Sequence, residues 1–469
     1  MSHECPMPAY QQARERVRKG KVSAFNRLHS IHEDAAFVSE FRALYPHLPI
    51  VGNQRCGTWY VDPATALNEP AYFKSTDGHY GRWDFNMRRA NLNLIPIVEK
   101  SGGIIIVDST RRGKRFPDAL SKTIPTWCCV INRASKAKRD LTDWDDKLYT
   151  PPIAVSPSEH AQIENGLEAW THNLLSSSFD VIQLTKPLRP IWISPASTLD
   201  RLDISDLDFY PVFCVSASKL VENDGIERRL GYVYVQGSGD DHEMWSKGLT
   251  PRMYWENVSR LIATPEHHLD DLVKEIAEGW PRRLDGLLGC TRSLSPIKAA
   301  GGRIMLGACD SALGAKNWPE ACDCLIQILP GVPRIDYDRS QITQPTKPVL
   351  PELEKRLDLL SFSIPPAKRA QKYFISNFAR VHLLDEAKLR MLGVVCWEGK
   401  DLSAGVAVAI LQSFFDEDGN LEADQCLKTA SKASLRRRLE WVQASHPEAN
   451  PSRSTLKRIN EFFMSTSPH

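Results

Sequence analysis

Met391-Leu-Gly-Val-Val-Cys396-Trp-Glu-Gly399-Lys400-Asp401-Leu402-Ser403 passes from an apolar segment through a short polar turn into a second apolar stretch, Ala404 to Phe415. The pattern reads as a strand, a tight loop and a helix start. Successive backbone N–H groups in such a loop point inward at the helix N-terminus, where the helix dipole favours negative charge. An anion, above all a phosphate, is the ligand such a loop takes. A strand feeding a helix is also the repeating unit of α/β sheets, so the stretch indicates the fold class.

The rest of the chain carries the same alternation. Apolar runs suited to strands recur at 104–107, 127–131, 191–193, 212–215, 232–235 and 304–307. The run at 127–131 includes Cys128 and Cys129, whose thiols would then face opposite sides of a sheet. Helical spacing marks 159–175 and 265–278. It also marks 9–45, where Arg14, Arg16, Arg18, Lys19 and Lys21 precede Phe37, Phe41 and Leu44. The proline-rich segment from Gln341 to Pro351 has linker composition. The expected organisation is a large α/β domain over 1–345, a linker over 346–354 and a smaller α/β domain over 355–469.

Composition sets further limits. The 469 residues carry a formal charge of +2, so nucleic-acid binding must come from local patches rather than from global charge. No apolar run reaches membrane-span length, and the first residues lack the apolar core of a secretory signal. The expectation is therefore a cytoplasmic protein without a membrane partner. The 11 cysteines form no Cys-x-x-Cys pair, which fits reduced, mostly buried thiols and supports no zinc site.

Three clusters carry candidate chemistry. The first spans 72–118 and includes Lys74, Asp77, His79, Arg88 and Arg89. It ends in Ile104-Ile-Ile-Val107-Asp108-Ser109-Thr110-Arg111-Arg112-Gly113-Lys114-Arg115. An apolar run ending in an acid and two hydroxyls places polar groups at the carboxyl end of a buried strand, where α/β sheets bind ligands. Arg111, Arg112, Lys114 and Arg115 would then line that crevice and attract phosphates. The competing reading is a helix-capping Asp108 followed by an exposed basic loop. The second cluster, Gly231 to Trp245, again runs a strand into glycines and then Asp240-Asp241-His242-Glu243. Adjacent acids with a histidine suit Mg²⁺ or a base for a hydroxyl; a helix N-terminus favouring acids is the alternative. The third, over 428–458, holds Arg436, Arg437, Arg438, Arg453, Lys457 and Arg458 around Trp441. It suits an RNA backbone; a solvated helix face is the alternative.

The blocks Tyr72-Phe-Lys-Ser-Thr-Asp-Gly-His79, Ile106-Val-Asp-Ser-Thr-Arg-Arg-Gly-Lys-Arg-Phe-Pro-Asp-Ala-Leu-Ser-Lys-Thr123 and Tyr234-Val-Gln-Gly-Ser-Gly-Asp-Asp-His-Glu243 resemble the fungal and plant initiator-tRNA ribosylphosphate transferases. The resemblance extends over nearly the whole chain. It implies transfer of 5-phosphoribosyl from phosphoribosyl pyrophosphate to the 2′-hydroxyl of adenosine 64 in initiator methionyl tRNA, which keeps that tRNA from elongation. The second domain is similar to dual-specificity phosphatases at Cys396–Ser403 and at His446–Phe462. It departs from them at Val395, where many phosphatases carry histidine, and at Leu402, where they carry the arginine that clamps phosphate.

On this resemblance, Arg111, Arg112, Lys114 and Arg115 meet the leaving pyrophosphate, with Lys74, Ser109 and Thr110 beside the donor. Asp77, His79, Asp108, Asp240, Asp241 and His242 compete for the base and Mg²⁺ roles, with Asp108, Asp240 and Asp241 as the metal candidates. The loop Glu398, Gly399, Lys400, Asp401 and Ser403 holds a phosphate. Arg88, Arg89 and the 436–458 cations touch tRNA. A silent tRNA-binding scaffold, or a phosphatase whose arginine comes from elsewhere in the chain, are the alternatives.

Overall fold

The computed structural model describes residues 20, 22–111, 113–181, 183–222, 225–279, 294–308, 324–329, 358–363, 384, 389–396, 399–422 and 430–465. The chain divides into two units. One comprises Met1–Leu175 and Val181–Trp280, the other Ser176–Asp180 and Pro281–His469.

Among the described residues, the first unit includes helix α1, Ala24–Leu44, capped by the Ser23 side chain accepting from the Asn26 N–H. Its buried Leu28, Ile31, Val38 and Phe41 recur at helical spacing and pack with Phe213 and Val215. Strand β1 (Ile50–Gly52), helix α2 (Ile95–Ser101), strand β2 (Ile104–Asp108), helices α3 (Ile124–Arg139) and α4 (Pro157–Leu175), and strands β3 (Leu188–Ile193) and β4 (Tyr210–Ser216) follow. The four strands form one parallel sheet in the order β1-β2-β4-β3. All five residues of β2 are buried, as expected of an unbroken Ile/Val run in the interior of a parallel sheet. A small antiparallel pair, β5 (Ile226–Arg228) and β6 (Val233–Val235), precedes helices α5 (Pro251–Glu256), α6 (Val258–Ala263) and α7 (Glu266–Gly279).

This topology gathers the site. β1, β2 and β4 run parallel and end side by side. The Asn53 N–H donates to Val107 O at 2.8 Å and the Ala217 N–H to Asp108 O at 2.9 Å, extending the ladder past both strand ends. Asn53, Asp108 and Ser218 therefore emerge together at the carboxyl edge of the sheet.

The second unit holds a five-stranded sheet: β7 (Ser295–Pro296), β8 (Ile304–Ala308), β9 (Cys324–Leu329), β10 (Asp358–Ser363) and β11 (Leu392–Cys396), in the order β10-β9-β11-β8-β7. Of its described pairings only β7–β8 is antiparallel. β11 sits between β9 and β8 and leads into helix α8, Leu402–Phe414, every residue of which but Leu402 is buried. A helix apolar on all sides belongs inside a core. Helices α9 (Lys432–Ser445) and α10 (Arg453–Ser465) follow among the described residues. Among the described residues no helix is long and apolar enough to cross a membrane.

Two expectations change. The run at 127–131 lies inside α3, so Cys128 and Cys129 are helical. A short buried apolar run looks the same in a strand and in a buried helix. The distinguishing marks were present: Pro125 in the first turn, Lys136, Lys138 and Arg139 in the last, and Asp140 left-handed at φ 50°. The domain boundary expected near residue 345 also moves, because Leu306 pairs with Val394 and so places 304–308 in the second sheet. The first unit ends at Trp280; the expected linker, 346–354, lies outside the described residues. The expected helix over 9–45 is present from Ala24 onward, and Arg14, Arg16, Arg18, Lys19 and Lys21 lie outside the described residues.

Candidate active site

Asp108 closes β2 with its side chain fully buried, and four groups donate to its carboxylate. Asn53 Nδ2 stands 2.9 Å from Oδ2, Arg55 Nε 3.2 Å from Oδ2, Cys56 Sγ 3.0 Å from Oδ1, and the Ser109 N–H 2.8 Å from Oδ1. Burying a charge is costly unless it is paired and bonded, and here it is both. Arg55 Nη2 also reaches Asp108 Oδ1 and donates to Ser109 O. Burial pushes the Cys56 thiol well above its ordinary pKa, so it serves as a neutral donor to Asp108.

Arg55 extends from this buried acid to the surface turn after β6. Its Nη1 lies 3.0 Å from Asp240 Oδ2, and Arg111 Nε lies 2.9 Å from the same oxygen. Arg111 Nη2 reaches Asp241 Oδ2 at 2.6 Å. Burial would raise the Asp240 pKa, but Arg55 and Arg111 outweigh it and hold the group below the usual carboxylate range. From below, Arg27 Nη1 donates to the carbonyls of Ser238 at 2.9 Å and Asp240 at 3.1 Å. Gly237, at φ 72°, presses on the 110–111 backbone so closely that an added Cβ would lie 2.6 Å from Thr110 O. The turn and the basic loop are thus built against each other.

A buried hydroxyl network supports this turn. Ser218 Oγ accepts from the Gly237 N–H at 3.1 Å, meets Ser109 Oγ, and pairs with Asp34 Oδ2 at 2.8 Å. Tyr234 O–H donates to Asp34 Oδ1 at 2.7 Å, and the Gly239 N–H donates to Tyr60 Oη at 2.8 Å. Burial raises the Asp34 pKa well above its ordinary value, more than its hydrogen bonds lower it.

The structure separates other expected partners. Asp77 accepts from Asn86 Nδ2 at 2.9 Å, away from Asp108. His79 faces Asp118 at 3.8 Å, and Asp118 pairs with Lys114 at 2.8 Å and Lys122 at 3.1 Å. Lys122 continues to Glu159 at 2.8 Å. Lys114 therefore serves this second cluster, leaving Arg111, among the described residues, as the member of 111–115 at the Asp240 turn. Thr110 is buried, the Arg115 carbonyl accepts from Ser216 Oγ, the Lys74 carbonyl accepts from Thr123 Oγ1, and Arg112 lies outside the described residues. His242 opens a short 3-10 turn with its ring 6.1 Å from that of Trp59. The metal expectation does not fit: the carboxylates of Asp108 and Asp240 are bonded to arginine and that of Asp241 to Arg111. Among the described residues no group of three or more metal-ligating side chains is present. Arg89 stacks on Tyr72 at 4.2 Å, and Arg88 follows Asn86, whose side chain accepts from its N–H.

In the second unit, Gly399 takes φ 69°, and a Cβ there would meet the Ala308 N at 2.8 Å, so the loop after β11 requires glycine. Cys396 Sγ–H donates to Ser403 Oγ at 3.0 Å. Asp401 departs from its expected phosphate role. Its Oδ1 accepts from the Ser452 N–H at 2.7 Å and Thr455 Oγ1 at 2.6 Å, fastening the loop to the start of α10. Lys400 stands 4.0 Å from Glu448, and Glu398 lies outside the described residues. Arg438 also departs from expectation. It is buried, stacks on Trp441 at 4.1 Å and donates to Phe415 O at 2.9 Å, so it belongs to the core. Arg436, Arg437, Arg453 and Lys457 remain on the surface, and Arg458 pairs with Glu461 at 2.6 Å.

Family models match both units: the Rit1 N-terminal domain over residues 17–278 and the Rit1 DUSP-like domain over 359–463. The chain belongs to the Rit1 family. Two relatives span nearly its full length. An uncharacterized protein of Schizosaccharomyces pombe is 33% identical over 98% of this chain and 97% of its own. The tRNA A64-2′-O-ribosylphosphate transferase of Saccharomyces cerevisiae is 31% identical over 97% of this chain and 94% of its own. Human DUSP28 aligns with 38% of this chain and 98% of its own, at 15% identity and a TM-score of 0.26. The DUSP-like character of the second Rit1 unit accordingly rests on the family model.

Sequence reasoning missed Asn53, Arg55 and Cys56. The signal was the same as at Asp108, a strand running into polar residues, but β1 is three residues long and too short to register as an apolar run.

Proposed function

We propose that this chain transfers 5-phosphoribosyl from phosphoribosyl pyrophosphate to the 2′-hydroxyl of adenosine 64 in initiator methionyl tRNA, in the cytoplasm. The observation that carries the reading is the near full-length relationship to a ribosylphosphate transferase of Saccharomyces cerevisiae. The site supports it, since a strand-end acid and two arginines stand where an α/β sheet receives its ligand.

In this reading Arg55 and Arg111 meet the charge that develops on the leaving pyrophosphate as the anomeric C–O bond breaks. Asp108, with four donors on its carboxylate, orients Arg55 and takes no proton. His242 lies beside this turn and is the candidate to accept the 2′-hydroxyl proton. The carboxylates do not fit a resident Mg²⁺, so the charge is met by side-chain cations. In the second unit, the Gly399–Ser403 loop holds a substrate phosphate, and Leu402 in place of arginine leaves it without a hydrolytic clamp. Arg436, Arg437, Arg453 and Lys457 contact the RNA backbone.

The test mixes purified full-length protein, labelled donor and initiator tRNA transcript, with and without Mg²⁺. Label should enter the tRNA at adenosine 64. Its absence under both conditions would remove the enzyme assignment and leave an RNA-binding scaffold.

A further inference from the structure

We propose that Asp240 and Asp241 are a built-in stand-in for the donor's pyrophosphate, occupying Arg55 and Arg111 in the free protein and releasing them when the donor binds. The proposal rests on the transferase reading of the same site. Two adjacent carboxylates present anionic oxygens to both arginines at 3.0, 2.9 and 2.6 Å, much as a diphosphate would. A diphosphate carries more charge and accepts in bidentate geometry from each guanidinium, so it is the stronger partner.

The two ends of Arg55 differ in a way that sets which acid can leave. Asp108 is fully buried at the end of β2, where Asn53, Cys56 and the Ser109 N–H bond it besides Arg55. Asp240 and Asp241 sit on a surface turn, with side chains 15% and 41% exposed, and can swing into water. Arg27 holds the carbonyls of Ser238 and Asp240, so the backbone of the turn stays while its carboxylates move.

The turn also stores strain. Asp241 is left-handed at φ 46°, a conformation disfavoured for residues with a Cβ, and its pair with Arg111 helps hold it there. A diphosphate taking Arg111 removes that restraint, and repulsion between phosphate and the freed carboxylates drives them outward. The stand-in thus lowers affinity for any anion that cannot replace both carboxylates.

Titration calorimetry of the full-length protein with inorganic pyrophosphate, at fixed ionic strength, tests the idea. Asp240→Asn should bind pyrophosphate roughly tenfold more tightly than the parent, the size of one released charge-assisted contact. Asp241→Asn should also bind more tightly, and it carries the test if the first variant does not fold. The gain from Asp241→Asn should vanish when Arg111→Ala is added, because Asp241 pairs with Arg111 and not with Arg55. Unchanged or weaker binding in the aspartate variants, or an Asp241→Asn gain that survives Arg111→Ala, would overturn the proposal. The transfer assay, run on the parent protein, reads the functional assignment separately. Tighter pyrophosphate binding in the variants with no transfer by the parent supports the stand-in and removes the transferase reading; transfer by the parent without tighter binding in the variants removes the stand-in alone.

Discussion

Arg55 Nε lies 3.2 Å from the Oδ2 of Asp108, and the far end of the same guanidinium reaches a surface turn at Asp240. One side chain therefore joins the interior end of a parallel strand to the mouth of the candidate site. The planar, multi-donor guanidinium suits this role, because its donors are spread over three nitrogens, whereas an ammonium bonds from a single atom. Asp108 holds the inner end of the guanidinium, and Arg55 is thereby aimed outward at Asp240.

Replacing Arg55 should therefore damage stability and chemistry together, and the two can be separated. Arg55→Ala leaves a fully buried carboxylate without its cation, a loss of about 3 kcal/mol. Adding Asp108→Asn should recover much of that loss in urea unfolding, because the uncompensated charge is gone. Neither variant should regain transfer, which Arg55→Lys should lower on the order of a hundredfold. Full activity in Arg55→Lys would show that the bidentate geometry is not used.

Asp34 yields a prediction in pH. Burial raises its pKa well above the ordinary 3.8, so the folded chain keeps a proton that the unfolded chain gives up. Stability from this group is full below 3.8 and falls as pH rises toward the folded value. An asparagine side chain at this position would keep a donor and an acceptor for Ser218 and Tyr234 without that penalty. Asp34→Asn should unfold at a higher urea concentration than the parent near neutral pH, with the difference shrinking toward about pH 4. A difference independent of pH would show that Asp34 is not the titrating group.

The α/β class and most strands were legible because short apolar runs such as Ile104–Val107 and Val212–Val215 stand between polar turns. α3 was misread, since its buried Trp127–Ile131 shows no alternation and its helix marks stand at the ends. Asp108, Asp240, Asp241 and Arg111 were legible as strand-end clusters. Their pairing was not, because it depends on strand order, and β1 lying beside β2 is what delivers Arg55. Arg438 shows the converse limit. It shares a charge run with Arg436 and Arg437, and only the helix phase of α9 turns it toward Trp441 and the core.

That difference in phase separates RNA contacts from packing. Arg438→Ala should cost about 2–3 kcal/mol of stability, because it removes the buried bond to Phe415 O, a half-buried one to Glu417 and the Trp441 stack. Arg436→Ala and Arg437→Ala change exposed side chains and should leave unfolding nearly untouched. In tRNA binding each should weaken affinity and lower the slope of log K against log salt by roughly one. An unchanged slope in the double variant would place the RNA elsewhere.

The loop after β11 distinguishes a holding site from a reacting one. Cys396 donates its thiol hydrogen to Ser403, whereas Asp401 ties the loop to α10 through the Ser452 N–H and Thr455 Oγ1. Asp401→Ala should loosen that tie by about 1 kcal/mol, the worth of a helix cap, and weaken tRNA or donor binding through a less ordered loop. Cys396→Ser replaces one donor by another and should leave ribosylphosphate transfer within about twofold, while Lys400→Ala should raise the donor or tRNA concentration needed for half-maximal transfer. Loss of transfer in Cys396→Ser with normal folding would instead assign the thiol a covalent role, and the loop would have to be reread as a reacting site.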